Sequence, residues 1–103
     1  NMKNSKKILQ LSENDNVFVA CRNIESGEVL NYKESSYSIE KSIMLGHKIA
    51  STKILKGENI IKFNVSIGSA TRDIKKGEHV HVHNISSDFI PTYTLENHPK
   101  KII

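Results

Sequence analysis

The stretch KILKGENII, residues 53–61, decides the fold. It sets Ile54 ahead of two turn-compatible residues, then Gly57, which can take positive φ, then Glu58 and the β-branched residues that open a strand. The same order recurs as NIESGEVL (23–30) and DIKKGEHV (73–80): a polar residue, Ile, two variable positions, Gly, Glu, one further residue and an aliphatic. Gly27, Gly57 and Gly77 are 30 and then 20 residues apart, and unequal spacing excludes a solenoid of fixed period. One small fold that uses the same corner three times fits instead. Glu28, Glu58 and Glu78, one per corner, are expected to hydrogen-bond the corner's own backbone rather than to act as acids or bases.

Working outward, VFVACR (17–22), YSIEKSI (37–43), NIIKF (59–63) and EHVHVHN (78–84) alternate or are β-branched, and read as strands. SENDN (12–16) is a turn-rich lead into the first, and SIEKSIMLGHK (38–48) leaves room for a single helical turn. The expectation is an all-β fold of short strands. After Asn84 the composition changes: ISSDFIPTYTLENHPKKII (85–103) holds both prolines and reads as an extended C-terminal tail. Its Phe89, Ile90, Tyr93 and Leu95 are apolar enough to dock on the domain itself or on a partner. Residues 1–7 are expected to be a disordered N-terminus, with Asn1 before Met2 read as a tag remnant.

At 103 residues the chain is long enough for one small domain. The formal net charge of +4 could point to nucleic acid. Setting aside Lys3, Lys6, Lys7, Lys100 and Lys101 at the ends leaves ten basic against eleven acidic residues. With three Phe, three Tyr and no Trp, there is neither a basic body nor a stacking platform, so nucleic acid is not an expected partner. No apolar run approaches the roughly 18 residues that span a bilayer, so no membrane association is expected and a cytoplasmic location fits. Cys21, the single cysteine, excludes an internal disulfide, and its apolar setting predicts a buried, inert thiol. FNVSIGSAT (63–71) lacks the framework of a phosphate loop, and no Ser-His-Asp or Cys-His arrangement follows from spacing.

The residues with chemistry in them are histidines. A strand over 78–84 sends His79, His81 and His83 to one face and Val80 and Val82 to the other. Neighbouring imidazoles then start about 6.5–7 Å apart and the outer pair about 13 Å, so the strand offers a two-point clamp at most. His47, in the GHK of residues 46–48, is the candidate to join them, with Gly46 permitting a turn that exposes His47 and Lys48. A solvated edge strand would also explain the pattern. Histidine, however, supplies titration near neutral pH and a nitrogen lone pair, which Lys, Thr or Glu would not.

The segment GHKIAS-x-x-I-x-x-GE-x-IIK-x-x-x-x-IG-x-AT-x-DI-x-x-GEHVHVHN, from Gly46 to Asn84, resembles the SAF-type N-terminal domain of the altronate/galactarate dehydratase family. That family also includes the sulfolactate sulfo-lyases, in which this domain is a separate small subunit. DNVFVACRNIESGEVL (15–30) resembles the first portion of the same domain, so the resemblance covers residues 8–84. One departure is Asn64, where the family commonly has glycine; Asn tolerates positive φ, so the turn should survive.

The resemblance implies a β-clip fold, like that of type III antifreeze proteins, which agrees with the all-β reading. It also implies part of a lyase that eliminates water or sulfite from hydroxy acids with a divalent metal, typically iron. Most of the catalytic apparatus would belong to a large dehydratase subunit or domain, so the chain alone should be non-catalytic. Its tail resembles that of the free-standing small subunits. On this reading His47 serves proton transfer or metal binding and Lys48 holds the substrate carboxylate. His79, His81 and His83 face substrate or metal, His81 and His83 being the metal pair, and Asn84 orients them. The substrate would be a sugar acid or other hydroxy acid. The alternative is a stand-alone module that binds a metal or a hydroxy acid without turning it over, since fold alone does not fix chemistry.

Overall fold

The structure, a computed structural model, describes residues 7–87 and the backbone of two short segments beyond them. Its elements are strands: β1 (Ile8–Leu9), β2 (Val17–Ala20), β3 (Val29–Tyr32), β4 (Ser35–Ser38), β5 (Lys48–Ala50), β6 (Asn59–Lys62), β7 (Val65–Ala70), β8 (His79–Val80) and β9 (Ile85–Ser87). Among the described residues there is no helix, and the all-β reading holds. The room left for a helical turn over 38–48 is taken by the end of β4, a bend and a corner.

The corner is the organising unit, and it occurs four times. In chain order Ile24, Ile43, Ile54 and Ile74 are each essentially fully buried. Each is followed by a glycine of positive φ: Gly27, Gly46, Gly57 and Gly77. Burying each isoleucine contributes about 1.5–3 kcal/mol, which fixes where the chain must turn. Every corner glycine donates its N–H to a carbonyl at or just beyond the end of a distant strand: Gly27 to Ile39, Gly46 to Ala20, Gly57 to Ala70 and Gly77 to Ala50, all at 2.7–2.8 Å. Corners also pair. Ile24 and Ile43 exchange both backbone hydrogen bonds, as do Ile54 and Ile74.

Two halves of the same plan result. Between the first pair of corners lies the β3–β4 hairpin, and between the second pair the β6–β7 hairpin. A central sheet, in the order β1-β2-β5-β8, joins them. It is antiparallel throughout and carries a core on each face. Phe18, Ala20 and Ile49 point to the first half, where Ile8, Leu30, Tyr37 and Ile39 complete one cluster. Val17, Ala50 and Val80 point to the second half, where Ile60 and Ala70 complete the other. Burial on both faces explains why β2 reads as an unbroken apolar run rather than an alternation.

As expected, Glu28, Glu58 and Glu78 serve their corners. Their carboxylates accept the N–H of Glu25 at 2.7 Å, Leu55 at 2.8 Å and Lys75 at 2.9 Å. The bond to Glu25, with help from Lys7, holds the Glu28 carboxyl below its ordinary range. The turn between β6 and β7 keeps its positive φ at Asn64, φ 65°, with Phe63 at 56°. Asp15 accepts both of their N–H groups at 2.8 Å, which stabilises a conformation a bulky residue otherwise resists.

Several expectations are corrected. Cys21 is exposed, not buried. The strand ends at Ala20, and the Cys21 N–H is taken by Lys7 in a bend that turns the side chain outward. The strand expected over 37–43 is confined to Ser35–Ser38, and β7 lies in a stretch read only for its lack of a phosphate loop. Ile85–Ser87, the first residues of the expected tail, form β9 and pair with β7. Thr92–Tyr93 (β10) and Pro99–Lys100 (β11) pair antiparallel. Phe89, Ile90 and Leu95, with residues 1–6, lie outside the described residues.

At Gly68, β7 and β9 approach too closely to admit a Cβ. A Cβ there would stand 2.3 Å from the carbonyl oxygen of Ser86. Gly68→Ala should therefore force β7 and β9 apart and cost about 2 kcal/mol or more in urea unfolding. A loss under about 0.5 kcal/mol would show that β9 is not held in this register.

Candidate functional site

The second corner is the exception in the set. Three corners end in Gly-Glu, and this one ends in Gly46-His47. His47 donates its backbone N–H to Met44 at 2.9 Å, as Glu58 does to Leu55 and Glu78 to Lys75. The backbone is therefore that of a corner, while the side chain that elsewhere returns to it is an imidazole. His47 occupies the place in the first half that Glu78 occupies in the second.

The fourth corner brings the partners. It leads into β8, which pairs antiparallel with β5 so that Lys48 faces Val80 and Ile49 faces His79. Extending that register by one residue sets His47 opposite His81, and their rings stack with centroids 4.2 Å apart. His79, on the same face, places its Nε2 3.0 Å from Nδ1 of His47, so one ring donates and the other accepts. The ligand atoms of His47, His79 and His81 all lie within 4.8 Å of one another.

This overturns the extended strand expected over 78–84. β8 stops at Val80, and residues 81–84 curl into a turn. The cause is Asn84, fully buried, whose Oδ1 accepts the His81 N–H at 2.9 Å while its Nδ2 donates to the His79 carbonyl at 2.8 Å. That amide reads two backbone groups at once and pulls the chain back on itself. Consequently Val82 is 79% exposed rather than packed beneath the sheet. His83 sits beside His79, at 5.2 Å between centroids, instead of about 13 Å away. The geometry gathers His47, His79 and His81; the expected metal pair His81 and His83 is not the set it draws together, and His83 lies exposed at the margin. Lys48 is half-buried at the start of β5.

Burial, then the neighbouring His83, His47, His81 and Lys48, push the His79 pKa down to about 4. His81 is lowered too, by burial and then by His47, Lys48 and His83. Burial and Lys62 lower Lys48. Neutral imidazoles keep their lone pairs, which a metal ligand or a hydrogen-bond acceptor requires. In octahedral coordination at a metal–nitrogen distance of about 2.1 Å, adjacent ligand nitrogens stand about 3.0 Å apart, and His47 Nδ1 and His79 Nε2 already do. The ligand atom of His81 lies within 4.8 Å of both. An all-nitrogen set suits divalent first-row transition metals, iron(II) among them, rather than magnesium or calcium.

Sequence reasoning missed the second corner because it required the glutamate. The signal was Ile43-x-x-Gly46, the same frame with its last residue exchanged.

An all-β domain with two paired-corner halves and a histidine cluster on one face of its central sheet is thus defined. A family model described as the altronate/galactarate dehydratase SAF domain matches residues 6–88. The chain belongs to this family. It is 39% identical over 83 residues to the altronate dehydratase of Bacillus subtilis (strain 168), and 40% identical over 70 residues to that of Escherichia coli (strain K12). The matches cover 81% and 68% of this chain but only 17% and 14% of those relatives. It is also 32% identical over 75 residues to the (2R)-sulfolactate sulfo-lyase subunit alpha of Chromohalobacter salexigens, over 67% of this chain and 80% of that protein. Among the described residues no helix is long and apolar enough to cross a membrane.

Two outcomes test the site's electrostatics and its origin. His79 binds its proton later than the unfolded chain does, so stability should fall as pH drops from about 6.5 toward 4 and level off below. Nitrogen chemical shifts of the metal-free chain should show His79 titrating near 4; a midpoint above 6 contradicts the crowded, part-buried placement. His47→Glu should restore the carboxylate that the other corners have and raise stability by about 1 kcal/mol, some 4–8 °C in Tm. A lowered Tm would mean that the second corner does not want that group.

Proposed function

We propose that this chain is the small, SAF-type part of a hydroxy-acid lyase and contributes one wall of an active site completed by a large dehydratase subunit or domain. The observation that carries the reading is the convergence of His47, His79 and His81 on one open face. Such a face can bind and polarise, but as a single wall it excludes no water, which elimination chemistry needs. The relatives support the second polypeptide: the altronate dehydratases carry the equivalent segment within a far longer chain, and the sulfo-lyase relative is named as a subunit.

Elimination beside a carboxylate breaks a C–H bond at the α-carbon and leaves its electron pair on the carboxylate-stabilised carbanion. It then expels the β-hydroxyl as water. Lys48 is suited to hold the substrate carboxylate, because an arriving anion offsets both the burial and the Lys62 repulsion that depress its pKa. Exposed His83 can bond a substrate hydroxyl. His79, with a pKa near 4, is a poor proton acceptor at neutral pH and better employed as a lone-pair donor or ligand. His47, hydrogen-bonded to His79, is placed either to move the α-proton or to join that ligand set. A divalent metal, iron by family resemblance, held by His47, His79 and His81 would supply Lewis-acid pull on the leaving hydroxyl. Asn84 keeps the turn that positions His79 and His81.

The test is reconstitution with the large subunit encoded in the same host, followed by dehydration assays on sugar acids. His47→Ala and His81→Ala should each lower kcat by about 10²–10⁴-fold. Full activity in both variants would remove the histidine face from catalysis. Binding of metal or acid by the isolated chain, with no large protein that complements it, would favour the stand-alone binding module. Exchange of the substrate α-proton with solvent, retained or lost in His47→Ala, separates its role as ligand from its role as base.

A further inference from the structure

Among the described residues, the large non-aromatic apolar side chains most open to water are Val82, 79% exposed, and Met44 and Leu45, 62% each. All three stand at one end of the central sheet. Met44 and Leu45 belong to the second corner, which opens β5, and Val82 follows the end of β8, which runs antiparallel to β5. Between them His47 stacks on His81, with ring centroids 4.2 Å apart. The other corners show what this position ordinarily holds. Ahead of their glycines they place Glu25 and Ser26, Leu55 and Lys56, and Lys75 and Lys76, each pair with a charge. The second corner has none there. Its backbone is also held in place: Asn23 Oδ1 accepts the Leu45 N–H at 2.8 Å, and the Met44 carbonyl accepts the His47 N–H at 2.9 Å. Val82 rides on the turn that buried Asn84 closes. Holding apolar side chains up to water on a fixed backbone gains the folded chain nothing. It lowers the ordering cost for a partner that covers them.

We propose that Met44, Leu45 and Val82 are the docking surface for an apolar patch on the large dehydratase subunit or domain, which closes over the histidines between them. This rests on the lyase reading and names the contact by which its second wall is held. Continuity decides the occupant: a polypeptide that brings groups to His47 and His81 meets Met44 and Leu45 on one side and Val82 on the other. The altronate dehydratases have the length for it, since the matched segment is a small part of each. An apolar border does more than bind. It displaces water around the imidazoles, as elimination requires and as an open face cannot do.

The test measures the affinity of the full chain for the purified large subunit by calorimetry, beside dehydration activity. Leu45→Asp and Val82→Asp should each weaken the complex about tenfold or more, since either sets a charge against an apolar patch. Leu45→Met should bind as wild type does. Leu55→Asp serves as the control: Leu55 is 44% exposed and lies beyond the other end of β5, so affinity should stay as it is. Unchanged affinity in Leu45→Asp and Val82→Asp overturns the docking surface and leaves the lyase reading standing. Equal weakening by Leu55→Asp overturns it too, because the loss then has no position. A dimer of the isolated chain that Leu45→Asp breaks gives this surface to a second copy and overturns the proposal. A complex that depends on Leu45 and Val82 but dehydrates no sugar acid upholds the docking surface and counts against the lyase reading. No complex with wild type removes the occupant, and the docking surface with it.

Discussion

A turn that requires a residue at positive φ, anchored by one buried isoleucine, recurs at Gly27, Gly46, Gly57 and Gly77 and brackets the β3–β4 and β6–β7 hairpins. Strands of two to six residues cannot hold a sheet by themselves. Here glycine N–H groups from the corners tie the ends of β2, β5 and β7 and the residue after β4, and corners are tied in pairs through Ile24–Ile43 and Ile54–Ile74. The chain thereby spends its few large side chains where backbone hydrogen bonds also converge. Two small cores result, one on each face of the central sheet.

The candidate site follows from two departures from that plan. At the second corner the glutamate that stabilises its counterparts is replaced by His47. After the fourth corner, Asn84 curls the chain so that His81 stacks on His47 and His83 returns toward His79. Neither departure costs the fold its framework, because backbone bonds carry the corner and the Asn84 side chain is fully engaged. Partial burial, with the neighbouring imidazoles and lysines, disfavours the charged forms of His79, His81 and Lys48. His79 and His81 are thereby kept as lone-pair donors.

How much of this the sequence disclosed varies with the range of the interaction. Three corners and their glutamates were readable, because each is a contact within five residues and has its own glycine. The second corner was hidden by a single exchange at its last position. The histidine geometry was half legible: alternation correctly put His79 and His81 on one face. The turn at 81–84 depends on a buried amide that binds backbone three and five residues away, and a strand pattern says nothing of it. Cys21 was misread for a similar reason, since an apolar run does not show where the strand ends. The opposition of His47 to His81 belongs to strand register, which only the paired corners determine.

The family gives this arrangement its setting: a domain that occurs inside long dehydratases and, in a sulfo-lyase, as a separate subunit. Under the proposed function, the histidine face is a wall whose opposite lies on the large subunit or domain. Histidine-selective acylation, followed residue by residue by mass spectrometry with and without the large subunit, tests it most directly. His47, His79, His81 and His83 should become protected together in the complex. If they react equally fast in the free chain and in a stable complex, the face is not part of a shared site.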